Sequence, residues 1–293
     1  MSTPALRASG VGKRYGQVWA LRGCSASIPQ GRISALVGPN GAGKTSLLKI
    51  LAGLSAPDEG EVAVLGRVPD QNDAFLASIG YLAQSVPLYD HLTADEHVAL
   101  GRHLNRNWDG AGARTRMASR GVPLGRPVRT LSGGQRAQVG LSLALAKRPE
   151  MLLLDEPVAA LDPLARREFL TSLAEAVADG GLSVLVSSHL LHDLERVCDH
   201  LVLLTLGKTQ LCGEIDDIRA DHRMLIGPRR SPHKAPPGAE VVQTTQTTHQ
   251  TRLLVRLRRA VLDPGWEVSE VALEDVILAY MQADRPDPVV TAS

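Results

Sequence analysis

Two short stretches carry residue types suited to phosphate chemistry. The first, GPNGAGKTS at Gly38–Ser46, has the spacing GxxxxGK[ST] on Gly38, Gly43, Lys44 and Thr45. Glycines at such spacing let backbone N–H groups turn inward and cradle phosphate oxygens where a helix begins. Pro39, Asn40, Gly41, Ala42 and Ser46 complete the loop. Lys44 is expected to set its ammonium on the β- and γ-phosphates, and the Thr45 hydroxyl to ligate Mg²⁺. The second stretch, MLLLDE at Met151–Glu156, is an apolar strand that delivers two carboxylates at its end. Asp155 is expected to hold Mg²⁺ through its water shell, and Glu156 to orient or deprotonate an attacking water. An apolar run ending in Asp-Glu is a weak signal alone. Coupled to the upstream loop it points to hydrolysis of a bound nucleotide.

Such chemistry needs strands that end together and a helix that starts inside the loop. Residues 1 to about 220 alternate short apolar runs with helical patterns, which argues for α/β layers. Strand-like runs are Ile33–Gly38, Glu61–Gly66, Met151–Asp155 and Ser183–Ser188, and His200–Gly213 has the pattern of a hairpin turning at Gly207. A helix is expected from the phosphate loop through SLLKILAGL. Another begins at Thr93, where Thr93-Ala94-Asp95-Glu96 forms a capping box. From His103 to Pro127 the pattern loosens into a polar, Gly-rich stretch with five arginines, expected to be a small helical insertion with mobile joints and a solvated basic face. Composition shifts near Arg223. GPRRSPHKAPPG reads as a linker, then strand-like segments flank a Thr/Gln-rich turn, and RLLVRLRR at Arg252–Arg259 suits a half-buried strand. A last helix is expected near Leu273–Gln282, followed by a disordered tail.

The chain has 293 residues, 32 basic and 31 acidic, for a net charge of +1. That balance gives no whole-chain argument for nucleic acid, and 3% aromatics leaves few stacking platforms for single strands. Cys24, Cys198 and Cys212 form no CxxC and are expected to be small buried hydrophobes in a reducing compartment. No apolar stretch suits a signal peptide near Met1, and runs such as Leu201–Leu206 are strand length, far short of the ~18 residues that span a bilayer. Any action on a membrane would need a span supplied by another chain.

With LSGGQ at Leu131–Gln135 added to the two phosphate motifs, the chain resembles the ATP-binding subunits of ABC transporters over about residues 5–220. The resemblance implies a P-loop NTPase core of that type, an α/β fold with an antiparallel β subdomain and a helical signature subdomain at about 85–147. It places an ATPase domain at 1–222, a small α+β domain at 223–284 and a disordered tail at 285–293. ATP and Mg²⁺ are the implied cofactors. Tyr15 matches the aromatic that stacks on adenine. Gln84 matches the glutamine that touches the metal and the attacking water and reports to the membrane partner. Ser132, Gly133, Gly134 and Gln135 match the signature that binds the γ-phosphate held by a facing subunit, with Ser132 suited to cap the following helix. Asp162 matches the loop that crosses the dimer interface, and His189 the histidine that contacts the γ-phosphate and Glu156. One departure is Val158, where the family usually has Thr or Ser, followed by Ala159-Ala160 in place of a small polar pair.

The partners implied are a second copy or a related ATPase subunit, and separate transmembrane permease subunits. The location implied is cytoplasmic, on the inner face of the membrane. The C-terminal pattern VSEVALEDVILAYM is similar to the last helix of drug, antibiotic and lipid exporter ATPases, so export is the expected direction. The alternatives are the ATPase of an importer and a soluble regulatory ATPase.

Overall fold

The computed structural model describes residues 3–178, 180–189, 194–229, 236–257 and 263–283. They divide into two compact units, one ending at Cys212 and the other beginning at Gly213. The boundary expected at residue 222 falls inside the second unit, and the tail expected at 285–293 lies outside the described residues.

The first unit holds two sheets. β1 (Leu6–Tyr15), β2 (Val18–Ile28) and β4 (Glu59–Val64) form an antiparallel sheet in the order β2-β1-β4. Six further strands make the second sheet: β3 (Ile33–Val37), β5 (Ile79–Leu82), β6 (Met151–Leu154), β7 (Ser183–Ser188), β8 (His200–Thr205) and β9 (Lys208–Glu214), in the order β5-β6-β7-β3-β8-β9. Every residue of β3, β6, β7 and β8 is buried. Strands covered on both faces read as near-continuous apolar runs without polar alternation, and the polar residues they do carry, such as Ser34, Ser187 and His200, are themselves buried.

Parallel register decides where the chemistry emerges. Leu82 pairs with Leu154, Leu154 with Val186, and Val37 with Ser188. The carboxyl ends of β5, β6, β7 and β3 therefore lie side by side, the edge at which open α/β sheets bind ligands. Gly38, Gln84, Asp155-Glu156 and His189 all follow directly from those ends.

α1 (Lys44–Leu51) starts within the phosphate loop and buries Leu47, Leu48, Ile50 and Leu51, ending three residues earlier than the apolar pattern suggests. α2 (Asp73–Ser78) precedes β5, and the insertion after it is helical. α3 (Ala94–Leu104) carries the capping box, with Thr93 Oγ1 accepting from the Glu96 N–H at 3.1 Å and Glu96 Oε2 from the Thr93 N–H at 2.7 Å. α4 (Gly110–Ser119) follows, capped by Asp109. It packs on α3 and α5 (Gly133–Ala146) around Val98, Ala113, Met117 and Val139. The loose stretch is tied down more firmly than its composition suggests. Trp108 donates from Nε1 to Val98 O at 2.9 Å. Arg106, Arg114, Arg116 and Arg120 stand within 4 Å of Asp73, Asp95, Asp109 and Glu175 respectively. Four of the five arginines thus stand in ion pairs, on a face that is solvated as expected: the Arg106 and Asp73 side chains are 92% and 90% exposed. α6 (Pro163–Ala178) completes the unit.

Cys24 and Cys198 are buried as expected, but Cys212 is exposed. It lies on the sheet's edge strand β9, where Leu211 turns inward and the next residue must turn outward.

The second unit is α+β. α7 (Ile215–Asp221) leads into β10 (His222–Pro228), which joins β11 (Ala239–Gln246), β12 (Gln250–Leu257) and β13 (Glu267–Ser269) in the order β11-β12-β10-β13. Leu225, Leu253, Val255 and Trp266 form its core. β12 is half-buried, with Leu253 and Val255 inward and Arg252 and Arg256 outward. α8 (Leu273–Ala283) closes the chain's described part. Its Tyr280 hydroxyl lies 3.0 Å from Nε2 of buried His222, whose Nδ1–H donates to Ile218 O at 2.6 Å. No described helix is long and apolar enough to cross a membrane.

Candidate functional site

The loop Gly38–Gly43 turns so tightly that two of its glycines, Gly38 and Gly43, have no room for a side chain. A Cβ on Gly38 would stand 2.1 Å from Leu204 O, and one on Gly43, at φ +101°, would stand 2.4 Å from Ala20 O. Gly43 is the residue before α1, so the first turn of that helix opens toward the loop with no side-chain cap of its own. Such an end leaves backbone N–H groups available to an anion.

Lys44, 5% exposed, folds back over the loop. Its Nζ donates to Gly38 O at 2.8 Å and Pro39 O at 3.2 Å, and lies 3.0 Å from Glu156 Oε1. An ammonium has three donors, and all three are engaged. Glu156 Oε2 lies 3.1 Å from His189 Nδ1, so this carboxylate is held between two cationic or donor groups. Burial pushes the Glu156 carboxyl up, but the hydrogen bond and charge of Lys44, then those of His189, outweigh it and hold it below the ordinary range.

Glu156 also has an unusual backbone. Its φ is +46°, the left-handed region that costs a non-glycine residue about 1 kcal/mol or more. Its N–H donates to Ser187 Oγ at 2.8 Å, and Ser187 Oγ donates to Asp155 Oδ1 at 3.0 Å. Asp155 is 2% exposed and its own N–H bonds to Leu82 O at 2.9 Å. The negative charge of Asp155 adds to burial in raising the Tyr81 phenol to about 12.

A cleft of about 550 Å³ gathers most of the residues expected from sequence: Tyr15, Lys44, Thr45, Gln84, Glu156 and His189. Ala159 also lines it, whereas Val158 is 3% exposed and serves the core. Asp155 sits behind the cleft and does not line it. Ser132–Gln135 and Asp162 stand outside it. Ser132 Oγ caps α5 by accepting from the Gln135 N–H at 3.2 Å, Gln135 Oε1 accepts from the Ser132 N–H at 3.1 Å, and Gln135 Nε2 donates to Gly121 O at 3.1 Å. Asp162 Oδ1 accepts from the Leu164 and Ala165 N–H groups, both at 3.0 Å, at the start of α6. The fit to a magnesium nucleotide is good on chemistry. The loop is a cradle a Cβ would fill, and one carboxylate, one hydroxyl and one amide (Asp155, Thr45, Gln84) are the hard oxygen donors such an ion takes beside phosphate. Ser187 is the residue whose part here sequence reasoning did not find. Its signal was a hydroxyl closing the apolar run SVLVSS, read there only as strand.

Residues 21–159 match the family model described as ABC transporter. The thiamine import ATP-binding protein ThiQ of Vibrio parahaemolyticus is 34% identical over 204 residues, which cover 67% of this chain and 86% of that protein. The chain belongs to the ABC transporter ATP-binding family. ABC cassettes of this family are ATPases that bind ATP with Mg²⁺. The ribose import ATP-binding protein RbsA 2 of Burkholderia cenocepacia is 35% identical over 247 residues, 79% of this chain but only 48% of its own length. Among solved structures, the dimeric structure of MJ0796, a bacterial ABC transporter cassette, superposes with a TM-score of 0.64 at 25% identity, covering 71% of this chain and 98% of that one.

Proposed function

We propose that this ABC ATPase is the engine of a transporter whose membrane path is carried by separate chains, and that it works as a pair of facing subunits. The observation that carries the proposal is the cleft, which brings Lys44, Thr45, Gln84, Glu156 and His189 to one edge of the sheet from four separate segments.

In this scheme the loop N–H groups and Lys44 bind the phosphates, and Tyr15 takes the base. Mg²⁺, when bound, neutralises charge developing on the phosphates, with Thr45, Gln84 and Asp155 as its holders. Lys44 exchanges Glu156 for phosphate oxygen. Glu156 is then free to take the water's proton, with His189 still fixing its other oxygen and available to the γ-phosphate.

The signature would serve the partner's nucleotide. A Cβ on Gly134 would press on Ala165 Cβ at 2.7 Å, so that glycine answers to this chain's own packing, but one on Gly133 would meet nothing nearer than 3.8 Å. Exposed Ser132 and Gly133 therefore keep a bare surface that internal packing does not require, at the N-terminus of a 14-residue helix. Asp162 would lie at the same junction. ATP that binds better between closed subunits than on open ones drives closure, and moving a 1:99 equilibrium to 99:1 takes about 5.5 kcal/mol of such preference. Closure would reach the membrane subunits through the segment after Gln84, near exposed Tyr89 and Asp90. The working location is then the cytoplasmic face of a membrane, held there by the permease.

The direction of transport draws support both ways. Export is expected from the C-terminal pattern, whereas the thiamine and ribose relatives are named as import proteins, which makes import at least as well supported. A regulatory ATPase acting on nucleic acid or anionic lipid through Arg252–Arg259 has weaker support. Arg256 lies 3.2 Å from Asp221 Oδ2 within its own unit, and residues 258 and 259 lie outside the described residues. Affinity purification of the tagged chain from detergent-solubilised membranes tests the proposal. A multi-span membrane protein in the eluate supports transport; ribosomes or DNA in its place would overturn it.

A further inference from the structure

We infer that Ser187 is a positioning residue for hydrolysis, a single buried hydroxyl that sets the two carboxylates of the site in fixed relation to each other. The inference rests on the roles proposed above for Asp155 and Glu156.

Register brings the three residues together. Leu154 of β6 pairs with Val186 of β7, so the next residues, Asp155 and Ser187, leave the sheet as neighbours. A serine hydroxyl has one proton to give and lone pairs to accept with. Here it spends the proton on Asp155 Oδ1 at 3.0 Å and accepts the Glu156 N–H at 2.8 Å. Ser187 is 0% exposed and Asp155 2%, so the structure gives water no access to stand in for the hydroxyl.

Each bond answers a specific need. Asp155 is a buried carboxylate, and an O–H donor to a carboxylate is among the stronger hydrogen bonds. With Oδ1 bonded to the hydroxyl, the carboxylate plane is fixed and Oδ2 is the oxygen left to serve a metal or its water shell. Glu156 stands at φ +46°, a conformation that persists only where surrounding contacts over-determine it. Its N–H bond to Ser187 is such a contact, and the left-handed turn it holds aims the side chain at Lys44 and His189. His189 follows just past the end of the same strand, two residues beyond Ser187, so one short segment positions the metal carboxylate, the base and the base's histidine partner.

Alanine at 187 would leave the Glu156 N–H and one Asp155 oxygen without this partner. Loss of one outer-shell partner of a metal-binding group usually costs about 10- to 100-fold in activity or metal affinity. The test compares Ser187→Ala, Ser187→Cys and Ser187→Thr by steady-state ATP hydrolysis across Mg²⁺ concentrations, with Glu156→Gln as control. Cysteine keeps the size of serine but is a weak donor and acceptor; threonine keeps the hydroxyl. Expected are a kcat lower by about 10- to 100-fold for Ala and Cys, KM for ATP within about twofold, a raised Mg²⁺ requirement, and recovery of most of kcat in Ser187→Thr. A purely structural role would lower thermal stability without moving the Mg²⁺ requirement. Wild-type kcat in Ser187→Cys, with Glu156→Gln inactive, would overturn the positioning role alone. Wild-type kcat in Glu156→Gln would overturn the reading of the site beneath it.

Discussion

Lys44 Nζ stands 3.0 Å from Glu156 Oε1, so the residue that should hold phosphate and the residue that should take the water's proton neutralise each other. With Lys44 4% and Glu156 11% exposed at the side chain, water screens the pair little. The ion pair holds Glu156 ionised and also keeps it from acting until Lys44 has another anion to bind. Glu156→Gln keeps the shape and removes the proposed base. Turnover is expected to fall by about 10²- to 10⁴-fold, the usual worth of a positioned general base. Binding of ATP should persist, and with it an ATP-dependent dimer detectable by size-exclusion chromatography with light scattering. An unchanged hydrolysis rate would remove Glu156 from the mechanism.

The facing-subunit proposal makes a separate demand on Ser132. Ser132 is exposed and, among the described residues, its hydroxyl serves to cap α5. Ser132→Arg should therefore leave the subunit folded, at a cost of about 1 kcal/mol for the lost cap, and leave nucleotide binding to its own phosphate loop intact. It should abolish ATP-dependent dimerisation, because the bulky cation would stand where the partner's nucleotide must approach. Dimer formation by this variant, seen by the same light-scattering measurement in the Glu156→Gln background, would refute the arrangement.

Much of this site is legible in the sequence because its parts are local. The loop Gly38–Ser46, the strand ending in Asp155-Glu156 and the capping box at Thr93 each depend on residues within one short stretch, and each is found where the pattern puts it. What pattern could not supply is what depends on register and packing. The left-handed turn at Glu156 and the part played by Ser187 exist only because Leu154 pairs with Val186 across two distant strands. Likewise, Arg120 looks like one of several surface arginines until α4 is folded and its guanidinium meets Glu175 at 2.5 Å. Cys212 looks buried because its neighbours are apolar, and its exposure follows from alternation on an edge strand.

The phosphate loop yields a prediction from space alone. Gly43 has φ +101°, and an added Cβ would lie 2.4 Å from Ala20 O and 2.7 Å from Leu21 Cδ2. Gly43→Ala must therefore shift the loop against β2, and a residue forced into an incompatible φ costs more than about 1 kcal/mol. The expected result is loss of ATP binding by isothermal calorimetry together with a lower unfolding midpoint. Retention of wild-type affinity would mean that the loop does not need this geometry for its ligand.

A last prediction concerns pH and lies away from the cleft. His200 opens β8, is 5% exposed, and its Nδ1 has no hydrogen-bond partner among the described residues. Burial, reinforced by the nearby Arg32 cation, depresses its pKa from 6.5 to about 4. Above pH 6.5 the imidazole is neutral in folded and unfolded chain alike and contributes no slope. Between pH 6.5 and 4 the unfolded chain takes up a proton that the folded chain refuses, so stability falls as pH falls through this window. At 1.36 kcal/mol per unit, the loss between pH 7 and 5 is about 2 kcal/mol. Carboxylates titrate over part of the same range, so the measurement must be a difference. Urea unfolding at pH 7 and pH 5 should show the wild type losing about 2 kcal/mol more than His200→Gln, which has no proton to take up at that position. Equal losses in the two proteins would mean that His200 charges as readily when folded as when unfolded, and would place a proton acceptor or water beside Nδ1 at the start of β8.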